Sequence, residues 1–258
     1  MGLLRMLLDN PAFFFRFSLF RIPTLLIALC LHEWAHAFVA NRCGDPTARM
    51  LGRLTLNPLK HLDPVGTFLM FTMGFGWAKP VPVNPNHYRN RLWDDVKVSL
   101  AGVTVNFLLF LLFTAMDVAV NRFVWRPEVL QAMDTRELLA FDGGAYMIYM
   151  YPGQYDLPLR MRSVPLGGVL CFLQFAAQVN LMLAIFNLFP IPPLDGYHVF
   201  NDILFKGRLN LSPNLFRFGM LFVLLLSFST DVLSNIMSFL STHIQGGALA
   251  VFALLAGR

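Results

Sequence analysis

Residues 163–194 carry no charged side chain, and neither do residues 98–116. About 20 apolar residues in a helix cross the hydrocarbon core of a bilayer. In lipid a segment must satisfy its own backbone hydrogen bonds, so such runs are restricted to helices or closed barrels. A third run, Ile22 to Ala40, has the same length but contains His32, Glu33 and His36. An ionisable side chain at the centre of a membrane helix costs about 2.5–3.5 kcal/mol on insertion scales and marks function by default. Here there are three within five residues.

Composition agrees with a membrane class. Soluble domains carry about 25% charged residues; this chain carries 14%, with 56% hydrophobic residues and a mean hydropathy of +0.57. Its 258 residues leave room for five or six spans and connecting loops, with one domain over residues 1–258. The core is expected over about 19–205 and C-terminal helices over about 214–257. The net charge of +5 fits the bias of cytoplasmic loops toward Lys and Arg and the pull of anionic headgroups. No dense basic tract points to nucleic acid. Cys30, Cys43 and Cys171 are widely spaced and read as buried thiols. The N-terminus lacks the pattern of a cleaved signal peptide. Residues 1–17, with four phenylalanines beside Arg5 and Arg16, read as an interfacial anchor or as the start of the first span.

The first span is expected over about Leu19–Ala40. In the following loop, Arg53-Leu54-Thr55-Leu56 alternates with period two, as a short strand does. Asp63 to Trp77 is apolar but short and broken by Pro64, Gly66, Gly74 and Gly76, the mark of a segment that enters a membrane and returns. Lys79-Pro80-Val81-Pro82-Val83-Asn84-Pro85 cannot be helical, because three prolines impose an extended path. A re-entrant β-hairpin-like element beside the first span accounts for both segments. Val98 to Met116 makes the second span. Residues 121–162 form a polar, Tyr-rich connection, and the span from Ser163 is expected to stop near Phe189, before Pro190-Ile191-Pro192-Pro193. Leu215 to Phe228 is a further apolar run, and Asp231 reads as a helix cap.

Two histidines at i and i+4 face the same way from a helix and can grip one metal ion, and a glutamate beside the first can act as general base. Catalytic zinc takes three protein ligands and keeps a position for water. The third ligand must come from another segment at the same depth. Asp195 is the leading candidate, since it follows a charge-free span in Asn187-Leu188-Phe189-Pro190-Ile191-Pro192-Pro193-Leu194-Asp195-Gly196. His61, His87 and His198 read as loop or supporting residues.

The two segments together resemble the site-2 protease family of intramembrane zinc metalloproteases. That family joins HExxH in one core transmembrane helix to Asn-x-x-Pro-x-x-x-x-Asp-Gly in a later one. Gly52 to Pro58 and Gly76 to Asn84 are similar to stretches of its short bacterial members. The resemblance implies His32, His36 and Asp195 as ligands of one Zn2+ per chain and Glu33 as the base. Asn187 would orient substrate or stabilise the oxyanion, with Asn106 a further candidate. Asn106 lies in Ala101-Gly102-Val103-Thr104-Val105-Asn106, where relatives have Ala-Gly-Pro-x-x-Asn, so Val103 departs from the pattern.

The implied activity is endopeptidase cleavage in or near transmembrane segments of single-span substrates. The implied location is a bacterial cytoplasmic membrane, multi-pass, with the site near the cytoplasmic face. A slight Lys/Arg excess in loops 41–97 and 189–213 over residues 121–165 and the N-terminus, ten against eight, points the same way. Because substrate helices hide their backbone, cleavage requires local unwinding. Val81 to Asn84 is then an edge on which the unwound strand can pair. Two other classes fit parts of the pattern: a homologue that binds helices without cutting, and a metal or proton transporter. Intact His32, Glu33, His36 and Asp195 oppose the first. Clustering of polar groups at one end opposes the second.

Overall fold

The computed structural model describes residues 3–72, 76–133, 135–139, 144–151, 154, 160–209, 212 and 232–255. Three of its helices are long and apolar enough to cross a membrane. The chain runs α1 (Leu3–Asp9), α2 (Pro11–Cys43), α3 (Thr47–Met50), α4 (Pro64–Thr72), α5 (Arg91–Val124), α6 (Pro127–Ala132), α7 (Thr135–Leu139), α8 (Ala145–Met150), α9 (Val164–Asn187), α10 (Asp195–Phe205) and α11 (Val232–Leu255).

The long helices α2, α5 and α9 start where side chains replace missing intrahelical acceptors. Asn10 accepts from Phe13 N–H with Pro11 at the first position, Asn90 from Trp93 N–H, and Ser163 from Leu166 N–H. All three helices outrun or shift the expected spans. α2 absorbs the Phe-rich stretch, whose Phe13 and Phe17 pack against Phe20, Tyr146 and Phe175. α5 continues eight residues beyond Met116, to Val124. α9 ends at Asn187, two residues before Phe189.

α5 is the central helix and packs against α2, α9 and α10. In lipid, helices are not driven together by a hydrophobic contrast, so association depends on close van der Waals packing through small residues. Ala28, Ala37, Ala40 and Ala176 are accordingly fully buried. Phe110, Phe113, Leu173 and Leu181 fill the α5–α9 seam, with Met237 of α11 against it. On the far side, Trp125 and Met161 pair as an antiparallel bridge and close the connection between α5 and α9.

The described residues contain no sheet. Arg53–Leu56 forms bends rather than the expected strand, and the expected hairpin is reduced to one antiparallel bridge, Leu62 to Ala78, on either side of α4. Lys79 N–H donates to the His61 carbonyl at 2.8 Å beside it. The prolines at 80 and 82 explain why no ladder extends further, since neither can donate. The apolar run at 215–228 and the cap at Asp231 lie outside the described residues.

Candidate metal centre

His32 and His36 lie one turn apart on α2, 7% and 9% exposed, and their Nε2 atoms are 3.0 Å apart. Asp195 Oδ2 is 3.3 Å from each. Each histidine uses its other nitrogen elsewhere: His36 Nδ1 on the Val98 carbonyl at 2.7 Å, and His32 Nδ1 on Asn106 Oδ1 at 2.9 Å. Carbonyl oxygens only accept, so both Nδ1 atoms carry the proton. A neutral imidazole protonated at Nδ1 presents the lone pair of its Nε2. Two lone pairs and a carboxylate oxygen converging on one point repel one another unless a cation lies between them. Ligand type and number fit catalytic zinc, and the three residues meet the geometry of a metal-binding group.

Asp195 reaches this point because α9 stops at Asn187 and the chain makes tight turns to Leu194, so that Asp195 opens α10. Gly196 is required next: a Cβ there would run into the backbone of Leu188 and Phe189. Glu33 is buried beside the cluster, and its Oε2 accepts from Val81 N–H at 2.8 Å. The extended segment therefore lies over the HExxH face, held by Arg53 Nη2 on the Lys79 carbonyl at 2.7 Å and by Asp45 Oδ2 on Asn84 N–H at 2.7 Å. Burial alone would raise the Asp45 carboxyl. Hydrogen bonds from Thr47, Asn84 and His87 outweigh it and hold Asp45 below the ordinary carboxylate range.

Of the two asparagines, Asn106 is fully buried, with Oδ1 on His32 and Nδ2 on Asn180 Oδ1 at 3.4 Å. Asn187 Nδ2 turns back one helical turn to the Leu183 carbonyl at 3.0 Å. His61 is buried with Nε2 on the Thr55 carbonyl, and His87 pairs with Asp45. His198, one turn beyond Asp195, faces Asp95 at 3.8 Å on a cavity of about 400 Å3 also lined by Arg91, Asp202 and Lys206. There, burial and then Asp95 push Asp202 up to about 7.

Three contributors carry no chemical signature in the sequence. The Val98 carbonyl and Asn180 act through backbone or packing. Gly102 lies against both histidines: a Cβ on it would sit 2.5 Å from His32 Cε1 and His36 Nε2. The signal available for Gly102 is its spacing, four residues from both Val98 and Asn106.

Comparison with known proteins decides the family. The pattern of peptidase family M50 matches residues 20–227. The chain belongs to peptidase family M50. It is 37% identical over 186 residues to YwhC of Bacillus subtilis, named as a zinc metalloprotease, covering 72% of this chain and 69% of that one. It is 29% identical over 205 residues to Rip2 of Mycobacterium tuberculosis, similarly named, covering 78% of this chain and 63% of that one. The Rip2 protein of Mycolicibacterium smegmatis is also 29% identical, with 67% of this chain and 52% of the relative covered. No solved structure matches. As an M50 peptidase with three membrane-length helices among the described residues, the chain is a membrane metalloprotease of the site-2 protease type.

Proposed function

We propose that this M50 peptidase hydrolyses peptide bonds in or near the transmembrane segments of single-span membrane proteins, using one Zn2+ held by His32, His36 and Asp195. The observation that carries the reading is the convergence of two imidazole Nε2 atoms and a carboxylate oxygen beside a buried glutamate.

A Zn2+ held by these residues would supply a water of pKa about 7 and polarise the scissile carbonyl. Glu33 accepts the proton of the attacking water and returns it to the leaving amide nitrogen. Asn106 and the Val98 carbonyl hold the two imidazoles in the tautomer that faces the ion. Asn106 therefore serves the ligands rather than the oxyanion. The oxyanion or substrate-orienting role stays with Asn187, whose amide must leave the Leu183 carbonyl to perform it.

An unwound substrate strand pairs with the extended segment through Val83 and the strap's carbonyls, because the Val81 and Asn84 N–H groups already serve Glu33 and Asp45. The proposed arrangement is multi-pass, with five or six spans and a re-entrant element around α4. The metal lies near the cytoplasmic face of a bacterial membrane.

The test is cleavage of single-span substrates in liposomes by wild type and Glu33→Gln. The variant is expected to keep its zinc and lose activity by about 10²–10⁴-fold, the usual contribution of a positioned acid–base group. Wild-type proteolysis by a zinc-loaded Glu33→Gln protein rejects the assignment.

A further inference from the structure

The segment Lys79–Asn84 is anchored at both ends. Lys79 N–H donates to the His61 carbonyl at 2.8 Å, and the Lys79 carbonyl accepts from Arg53. At the other end Asn84 N–H donates to Asp45. Between the anchors, Pro80 and Pro82 have no N–H, so Val81 carries the one main-chain donor of that triplet. It is delivered to Glu33 Oε2 at 2.8 Å, in a buried contact. The Val81 side chain packs with Ala37 and Ala48, with Leu54 beside them. Ala37 lies one turn after Glu33, and its small side chain lets the strap approach α2 closely.

A glutamate has three side-chain torsions to fix, and a hydrogen bond from an N–H to a carboxylate is among the stronger ones available to fix them. With Oε2 held by Val81, the plane of the carboxylate is fixed and Oε1 keeps both its acceptor sites. The pattern Pro-Val-Pro thus combines a stiff extended path with a single donor at the position opposite the carboxylate.

We infer that Val81 is a positioning residue for Glu33, acting through its main-chain N–H, and that the strap sets the orientation of the base. The inference rests on Glu33 being the base, but the contact itself can be tested without catalysis.

In full-length, zinc-loaded protein, hydrogen–deuterium exchange at Val81 is compared among wild type, Glu33→Gln and Glu33→Ala. Glutamine keeps an acceptor oxygen and preserves protection, whereas alanine speeds Val81 exchange by about tenfold or more. In parallel, Val81→Ala keeps the N–H and Val81→Pro removes it. Val81→Pro is expected to lower kcat roughly 10- to 100-fold, the scale of a misplaced catalytic group, with KM within about twofold and zinc content unchanged. Val81→Ala, which keeps the N–H and trims only the side chain packed on Ala37 and Ala48, is the reference against which that fall is read. Unchanged Val81 exchange in Glu33→Ala overturns the inference, as does equal kcat in zinc-loaded Val81→Pro and Val81→Ala. If instead Glu33→Gln proteolyses like wild type while Glu33→Ala accelerates Val81 exchange, the contact stands and the catalytic assignment of Glu33 fails.

Discussion

The two ends of α5 carry polar stripes of the same spacing and opposite character. Near its start, Val98, Gly102 and Asn106 recur every four residues, and all three meet the histidines of α2: one accepts a hydrogen bond through its carbonyl, one makes room, one orients a ring. Near its end, Asp117, Asn121 and the following Trp125 recur with the same period. There Asp117 Oδ1, both side-chain polar atoms of Asn121 and Trp125 Nε1 are buried with no hydrogen-bonding partner among the described residues. Asn106 and Asp117 are separated by roughly 16 Å along the helix axis. One helix thus holds a polar network completed by another element and, among the described residues, several buried polar atoms without a partner. Polar residues in a membrane helix do not by themselves make a site. The difference is whether another element offers matching groups for each polar atom, as α2 and Asp195 do near the start of α5.

The largest expected break in this comparison is Gly102→Ala. The added Cβ would overlap both imidazoles, and overpacking costs about 1–3 kcal/mol, so zinc content and proteolysis should fall roughly 10- to 100-fold. Metal analysis of the purified variant checks it, and full zinc occupancy would place the histidines elsewhere. A smaller effect is expected from Asn106→Ala, which leaves the ligands in place but frees the His32 ring. Loss of such an outer partner typically costs 10- to 100-fold in metal affinity or activity, and zinc competition with a chelator should find about tenfold. The smallest effect belongs to the far end. Asn121→Leu removes two polar atoms that have no partner among the described residues, and keeps the volume. Its thermal stability should stay within about 1 kcal/mol of wild type or rise, since removing a buried polar group that lacks a partner costs little. A loss above that would mean that Asn121 has a partner of its own.

Much of this arrangement was legible in the chain. Hydropathy located the three long helices, because a membrane demands length and apolarity. The i, i+4 spacing of His32 and His36 placed them on one face, because helical geometry is local. Asp195 was legible for a related reason: prolines after a charge-free span stop the helix and let a side chain be aimed inward at the depth of His32 and His36. The ends were less legible. α5 outran its apolar run because Asp117, Asn121 and Arg122 are covered by neighbouring helices or sit where the helix leaves the core, which hydropathy does not register. The alternation at Arg53–Leu56 suggested a strand, but Pro58 and the prolines at 80 and 82 left nothing for it to pair with.

The amino-acid order alone therefore determined a membrane class, a helix with HExxH spacing and a proline-broken segment ending at Asp195, since these depend on periodicity, apolar length and backbone-breaking residues. Only the tertiary structure decided how the halves complete each other. It gave Asn106 to His32, Val98 to His36 and Val81 to Glu33, across sequence separations of 74, 62 and 48 residues. Hydrogen bonds across such separations depend on where α5 and the proline strap pack against α2. That packing is set by alanines and by Gly102, residues whose side chains carry no chemistry of their own.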